Sequence, residues 1–120
     1  MESFRELIVW QRSVQLVTRI YERTKVFPRE EIFGMKMQMR RCTISVPSNI
    51  AEGYGRQHTT EYIRFLQIAR GSLNELITQL EIAKSLDYLK DIEDIIKECD
   101  EIAKMLNSLI RKLTGKANKT

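Results

Sequence analysis

The chain has 120 residues, of which 42% are hydrophobic and 30% are charged, and it contains only 5 glycines and 2 prolines. This composition excludes a disordered chain, a collagen-like repeat and a turn-rich β-sandwich, and the length fits one domain that can bury a core without disulfides or metal. The 20 basic and 16 acidic side chains leave a net charge of +4, which is too small to establish a nucleic-acid partner.

The charge is distributed unevenly along the chain. The whole excess of +4 lies in residues 1–57, and residues 58–120 are neutral overall. Cys42 and Cys99 are far apart in the sequence and lack a metal-ligand spacing, so we expect two reduced thiols in the core. No apolar run is long enough to span a membrane and there is no signal-peptide pattern, so we expect a cytoplasmic protein.

Four stretches of the chain have the apolar periodicity of amphipathic helices. The first covers about residues 4–25 and ends before Pro28, because the residue that precedes a proline is disfavoured in a helix. Its predicted apolar face consists of residues three, four and seven positions apart. These residues are Leu7, Val14, Val17, Ile20 and Tyr21.

The second predicted helix covers about residues 28–54 and contains Pro47. A proline inside a helix lacks an N–H and crowds the carbonyl four residues earlier, so we expect a kink near Pro47 without a break. Gly53 and Gly55 are predicted to end this helix.

The third predicted helix begins at Thr59 or Thr60, either of which can cap it, and the fourth covers residues 91–115 with Asp91 as its N-cap. Both have continuous apolar stripes, and no stretch has the period of two that is typical of a strand. Short loops between long helices favour antiparallel neighbours. The sequence therefore predicts an all-α fold, an antiparallel up-down four-helix bundle over residues 1–120, with residues 114–120 as a frayed basic tail.

The second helix has two apolar stripes, whereas a helix of a monomeric bundle needs only one. Two explanations remain open: neighbouring helices cover both stripes, or the second stripe belongs to a subunit interface. Gly71 interrupts the third helical pattern at a cost of about 1 kcal/mol relative to alanine, which close approach of another backbone would offset. The candidate interface residues are Phe33, Met37, Ile44, Ala51, Tyr54 and Gly71.

A polar row lies between the two apolar stripes of the second helix. Glu52 and Arg56 are four residues apart, an orientation that favours a helical ion pair, and a mid-helix Asn49 suggests a specific partner. Three roles fit this row: a self-satisfied network that fixes helix register or subunit contacts, a surface for a polyanion or other ligand, or catalysis. The row consists of Gln38, Arg41, Ser45, Asn49, Glu52 and Arg56.

The sequence lacks the residues that most catalytic and metal sites need. His58 is the only histidine, whereas a carboxylate-bridged dimetal bundle uses two Glu-x-x-His pairs and a zinc site needs four ligands. The segment around Gly53 and Gly55 lacks the lysine and the strand of a phosphate-binding loop. We therefore expect no enzymatic activity, no metal and no cofactor, with His58 either an ordinary loop residue or a contact to a ligand.

Arginines recur along one side of the first predicted helix. Arg5, Arg12 and Arg19 are seven residues apart, and Arg23 follows four residues later. Such a row can neutralise nucleic-acid phosphates, or it can be an ordinary solvated face that nearby glutamates partly neutralise. The candidate nucleic-acid-binding residues are Arg5, Arg12, Arg19, Arg23, Lys36, Arg40, Arg41 and Arg56.

Several motifs together resemble one bacterial family. They are Phe4-x-x-Leu7-x-x-Trp10-Gln11, Phe27-Pro28, Gln38-Met39-Arg40-Arg41 and Ser45-Val46-Pro47-Ser48-Asn49-Ile50-Ala51-Glu52-Gly53. These motifs are similar to those of the four-helix-bundle family of 23S rRNA intervening-sequence proteins, and the resemblance extends to about Leu89. The polar motif of that family corresponds to Gln38, Ser45, Asn49, Glu52 and Gly53, accompanied by Arg41 and Arg56.

This resemblance implies a homopentamer, a barrel-like ring with a central channel and a basic surface. It also implies a relation to the accessory variability determinant of diversity-generating retroelements, a pentamer that binds nucleic acid and reverse transcriptase. We therefore expect a non-enzymatic oligomer that binds RNA or DNA through arginine-rich helix faces. The alternative is a structural or adaptor oligomer that binds another protein and no nucleic acid. The resemblance supplies no catalytic residue.

Overall fold

Four long α-helices make up most of the computed structural model, which describes residues 3–118. The helices are α1 (Ile8–Thr24), α2 (Met35–Tyr54), α3 (Thr59–Ser85) and α4 (Glu93–Asn118), and single 3-10 turns lie at Phe4–Glu6 and Arg29–Glu31. No strand occurs within residues 3–118. The prediction of an all-α four-helix bundle is therefore confirmed.

Neighbouring helices of the bundle run antiparallel. Arg12 of α1 pairs with Glu98 of α4. Arg19, two turns later in α1, pairs with Asp94, which is one turn earlier in α4. Each helix contacts the helices next to it in the chain, and α1 also contacts α4. The four helices thus form a closed up-down bundle that measures 51 × 21 × 20 Å.

The core is almost entirely apolar, and the predicted stripes of α3 and α4 are buried in it. The prediction of the buried face of α1 is wrong. Only Ile20 of the predicted stripe is fully buried, and Ser13 and Thr24 occupy core positions. Their hydroxyls donate to the carbonyls of Val9 and Ile20 at 2.7 and 2.8 Å. Because these hydrogen bonds satisfy the hydroxyls, burial of the two polar side chains costs little.

The start of α2 differs from the sequence prediction. After Pro28 the chain forms the 3-10 turn at Arg29–Glu31, and the α-helix begins only at Met35. The Glu31 carboxylate accepts a hydrogen bond from the Met35 N–H at 3.0 Å and so caps the helix. A Cβ at Gly34 would lie 2.5 Å from one oxygen of that carboxylate, so a larger residue there would require the Glu31 side chain to shift.

The same carboxylate joins the start of α2 to the loop between α3 and α4. The Tyr88 hydroxyl donates to the second Glu31 oxygen at 2.9 Å. The hydrogen bonds from Met35 and Tyr88 lower the pKa of Glu31 from its ordinary value of 4.5. A carboxyl whose folded pKa is lowered stabilises the fold above its unfolded pKa, and this contribution is lost as the pH falls through the folded pKa.

We therefore expect Glu31→Gln to reduce the pH dependence of stability. The wild-type free energy of unfolding, measured by urea titration, should fall more steeply below about pH 4.5 than that of the variant. Glu30→Gln is the matched control, because Glu30 is exposed and lies next to Glu31 in the same 3-10 turn. Equal pH profiles for the two variants would contradict the proposed role of the Glu31 carboxylate.

The starts of α3 and α4 also differ in detail from the sequence prediction. α3 begins at Thr59 with His58 at the N-cap position, and the His58 side chain makes no capping hydrogen bond. Neither Thr59 nor Thr60 is therefore the cap. Asp91 does cap α4, since its carboxylate accepts a hydrogen bond from the Glu93 N–H at 3.1 Å, although the helix itself begins two residues later.

Two residues that commonly interrupt helices lie inside helices here. α2 is continuous through the buried Pro47, so the expectation of no break is confirmed, and the kink stays a prediction. α4 continues through Gly115 to Asn118, past the predicted helix end at residue 115, and the frayed tail stays a prediction. Gly115 has no positive φ, so the chain does not turn out of the helix there. Residues 119–120 lie outside the described residues.

Both cysteines are free and buried, as the sequence predicts. Burial raises the pKa of each thiol to about 12, and the nearby Glu75 carboxylate adds to the effect at Cys42. Because the thiolate is the reactive form, we expect neither thiol to be alkylated by iodoacetamide near neutral pH within minutes. Both should react in urea, and mass spectrometry counts the adducts. Rapid modification of the folded chain would contradict the burial of that cysteine.

Candidate nucleic-acid interface

Most of the predicted arginine row on α1 is engaged by α4. The Arg12 guanidinium donates two hydrogen bonds to Glu98, at 2.9 and 3.0 Å. Arg19 and Arg23 both donate to Asp94, at 2.7 and 3.2 Å. These three arginines join α1 to α4, and the carboxylates of Glu98 and Asp94 offset two of their three positive charges.

The acids of α4 are the partners that the sequence analysis did not find. Burial alone would raise the pKa of Asp94, but the hydrogen bond from Arg23 and the neighbouring positive charges lower it overall. Asp94 and Glu98 are four residues apart, and Arg12 and Arg19 are seven apart, so both pairs lie along one face of their helices. The acidic run at the start of α4 is the signal in the sequence that points to these partners.

The basic residues of α2 lie on a different surface from those of α1. The Arg40 guanidinium lies 4.3 Å from the centre of the Tyr21 ring and donates to the Thr24 hydroxyl at 3.0 Å. Arg40 therefore also fixes the fold. Lys36 and Arg41 line the same groove of about 410 Å³, and neither forms an ion pair with any residue between 3 and 118.

The polar row of α2 has partners within the chain. The Ser45 and Ser72 hydroxyls are hydrogen-bonded at 2.7 Å across the α2–α3 contact, and the Asn49 amide donates to the Ser45 carbonyl at 2.8 Å. The ion pair predicted from spacing is present, with Arg56 and Glu52 2.8 Å apart. The Ser45–Ser72 bond joins α2 to α3, whereas the bonds of Asn49 and Arg56 stay within the α2 segment.

Two further members of the row lie at its outer edge. Gln38 and Arg41 are exposed and line a groove of about 290 Å³ between α2 and α3, together with Glu75. The Cys42 thiol at the base of this groove donates to the Ser72 carbonyl at 3.0 Å. This groove is polar and shallow, and its Arg41 and Glu75 side chains do not form an ion pair within the described chain.

Close approach of two helices occurs at Gly53, where the sequence analysis expected only a helix end. A Cβ at Gly53 would lie 2.8 Å from the Phe65 Cβ and 3.2 Å from the Tyr62 carbonyl oxygen. At Gly71, which is exposed, a Cβ would meet no atom within 4 Å. The prediction of a close backbone approach at Gly71 is therefore wrong within the chain, and Gly53 has that role.

The second apolar stripe of α2 is only partly covered. Phe33 is 84% exposed and Ile44 is 41% exposed, and Met37 and Ala51 are half-buried. Tyr54 is half-buried, with its ring centre 6.1 Å from that of Tyr62. The explanation in which neighbouring helices cover both stripes does not hold for the described chain.

Positive charge is concentrated at one end of the bundle. At the end where α1 begins and α4 ends, here called the basic end (residues 3–10, 52–65 and 106–118), there are six basic and three acidic residues, a net charge of +3. At the opposite, acidic end (residues 22–36 and 81–94) there are six basic and eight acidic residues, a net charge of −2. The electrostatic field is therefore directed along the bundle axis.

Most cations of the basic end are available to a ligand. Only Arg56 among them forms an ion pair with a residue between 3 and 118. Arg5, from the predicted set, lies here with its guanidinium 4.7 Å from the centre of the Phe4 ring. The predicted set does not include Arg64, Arg111, Lys112 and Lys116, because they lie on different helices and their charges are diluted along the chain. The cations without ion pairs are Arg5, Arg64, Arg111, Lys112 and Lys116.

Residues 3–118 hold no group of three His, Cys, Asp or Glu side chains that is placed to bind a metal ion. Within the same range no helix has both the length and the mean hydropathy needed to cross a bilayer. The fold and its surfaces define a small helical-bundle protein whose α2 polar row is hydrogen-bonded to α3 and whose net positive charge is concentrated at one end.

Comparison with known proteins gives the family. The chain belongs to the 23S rRNA-intervening sequence protein family, whose profile matches residues 5–108. The chain is also similar to a crystal structure of a protein of unknown function from the S23 ribosomal protein family of Bacteroides thetaiotaomicron VPI-5482. The two have 29% sequence identity and a TM-score of 0.77 over 86% of this chain and 98% of that chain. No protein with a curated description matches significantly.

Proposed function

We propose that this chain is a non-enzymatic oligomer that binds RNA or DNA through backbone phosphates at its basic end. The observation that carries the proposal is the group of cations there that lack acidic partners. Affinity for nucleic acid arises largely from lysines and arginines that neutralise phosphates and release counterions. We expect Arg12, Arg19 and Arg23 to contribute little, because Glu98 and Asp94 of α4 offset two of their three positive charges.

Self-association strengthens this proposal. The exposed stripe that includes Phe33 and Ile44 supports a subunit interface, and the family resemblance implies a pentamer. In a ring whose axis runs along the helices, all basic ends lie on one side, so a weak charge on each copy becomes a strong local field. Light scattering should give a mass of about five monomers, and a monomer would contradict the oligomer.

The binding test compares two variants with the same change in charge. Arg111→Glu with Lys112→Glu alters the basic end, and Lys84→Glu with Lys90→Glu alters the acidic end; all four residues are exposed and without ion pairs. Fluorescence anisotropy with labelled single-stranded RNA, and with DNA of the same sequence, measures affinity. We expect the basic-end variant to lose about tenfold or more and the acidic-end control to change little.

Salt dependence supplies the second criterion. Wild-type affinity should fall steeply between about 50 mM and about 200 mM salt, with a slope near −0.7 per phosphate contact on a single strand. Equal losses for the two variants would show that net charge, not the basic end, controls binding. Absence of binding at low salt would contradict the proposal and leave the alternative, a structural or adaptor oligomer that binds another protein.

A further inference from the structure

The exposed large apolar side chains are clustered on two faces of the bundle. Eight such residues occur within residues 3–118, and all but Ile8 and Val26 belong to these faces. Clustered apolar exposure of this kind marks a contact surface, whereas single exposed residues need no explanation. The α1–α2 face contains Ile32, Phe33 and Ile44, and the α3 face contains Ile68, Ile82 and Leu86.

The α1–α2 face is positively charged. Its groove of about 410 Å³ is lined by Tyr21, Ile32, Lys36, Met37, Arg40 and Arg41, a set that contains three cations and no acid. An adjoining groove contains Ile44 together with Glu22 and Lys25, which neutralise each other across 3.0 Å. This face therefore combines an apolar surface with a net positive charge.

The α3 face is continuous and carries the opposite charge. Ile68, Gly71, Glu75, Ile82 and Leu86 follow one another at intervals of three, four, seven and four residues, so they lie on one side of the helix. Glu75 forms no ion pair within residues 3–118. On the same side Glu61 and Arg64 offset each other, which leaves the face mildly negative.

Gly71 also lies on this second face. Because Gly71 has no side chain, the α3 surface has a depression between Ile68 and Glu75. No atom of the described residues lies within 4 Å of the position that a Cβ would take. A mid-helix glycine costs about 1 kcal/mol relative to alanine, and nothing inside the chain offsets that cost. A second helix that packs closely there from outside would offset it.

We infer that the α1–α2 face of one copy of this chain packs against the α3 face of the next copy. This inference rests on the self-association in the proposed function and names the surfaces that produce it. The two faces are both apolar and oppositely charged, so they complement each other. Pairing either face with itself would bring like charges together, Lys36 and Arg41 in one case and Glu75 in the other. The contact is therefore head-to-tail, and such contacts close into rings when the rotation permits.

The test uses one variant on each face. Phe33→Glu changes the α1–α2 face and Ile68→Glu changes the α3 face, and each places a carboxylate in an apolar contact that it cannot enter without losing its hydration. Both side chains are substantially exposed, at 84% and 42%, so the fold should be retained. Val26→Glu is the matched control, because Val26 is 71% exposed and belongs to neither face. Circular dichroism verifies helix content in all three.

Light scattering and sedimentation then measure the mass of each sample. The protein concentration is kept well above that at which the wild type assembles. Each face variant alone should be monomeric, and the Val26→Glu control should assemble like the wild type. A one-to-one mixture of the two face variants should form a species of twice the monomer mass with one copy of each, because one intact α1–α2 face meets one intact α3 face. Mixing two tagged copies of the same variant should give no such species.

The outcomes separate this inference from the proposed function. A monomeric wild type would overturn the self-association itself. A wild type that assembles, with each face variant forming a dimer on its own and no mixed dimer, would show that each face pairs with its own kind and would overturn the head-to-tail contact. Face variants that stay monomeric when mixed would also overturn it. Face variants that assemble as well as the Val26→Glu control would show that other surfaces are used.

Discussion

Replacing Gly53 with valine should destabilise the bundle more than any single surface change. A Cβ there would lie 2.8 Å from the Phe65 Cβ and 3.2 Å from the carbonyl oxygen of Tyr62, and the backbone atom cannot move aside without separating α2 from α3. Overpacking of a tight core contact costs roughly 1–3 kcal/mol, and a branched side chain against a backbone is at the upper end or beyond. We therefore expect the free energy of unfolding to fall by about 3 kcal/mol or more.

The matched control is Gly115→Val. Gly115 also lies inside a helix, but a Cβ there meets no atom within 4 Å and the residue belongs to neither apolar face. Its replacement should change stability by less than about 1 kcal/mol, since only helix propensity is affected. Urea titration followed by circular dichroism measures both variants. Similar stabilities for the Gly53 and Gly115 variants would show that α2 and α3 do not approach as closely as described.

Reversing the charge of Arg12 should produce the second-largest effect. Arg12 and Glu98 have side chains that are only 29% and 20% exposed, and two hydrogen bonds join them. Arg12→Glu leaves two carboxylates facing each other in a partly buried site, which we expect to cost about 2 kcal/mol. The swapped double variant, Arg12→Glu with Glu98→Arg, restores opposite charges and should recover about half of the loss.

The control for this pair is an exposed ion pair on the same helix. Glu22 and Lys25 are 72% and 65% exposed, and reversing Lys25 should cost at most about 0.5 kcal/mol. Arg12→Glu would equally be expected to abolish RNA binding if the α1 row were the ligand surface. Because the swapped variant keeps an ion pair between α1 and α4, it should bind RNA like the wild type. Weak RNA binding by a stable swapped variant would show that the arginines of α1 do contact phosphates.

The fold was largely predictable because its main signals are local in sequence. The stripes of α3 and α4 repeat over many turns, and each repeat buries the residues that it marks. The face of α1 was misplaced because Ser13 and Thr24 look polar in sequence but satisfy their hydroxyls within their own helix. The start of α2 was misplaced because its cap depends on a carboxylate in a 3-10 turn.

The candidate sites were less predictable because they depend on the relative placement of helices. Gly53 in the last turn of α2 and Gly71 inside α3 both look like ordinary helix glycines in sequence, and only the packing of α2 on α3 distinguishes a close contact from an open surface. The α1 arginines were assigned to a ligand because their partners are on the last helix. The basic end was missed because three separate stretches of the chain contribute to it, and none of them is strongly basic alone.

The pairing of the first and last helices has a consequence for how the chain folds. Arg12 is 86 residues from Glu98, and Arg19 is 75 residues from Asp94. Contacts between residues this far apart carry a large loop-closure entropy, so we expect α1 and α4 to pair late, after the contacts between consecutive helices have formed.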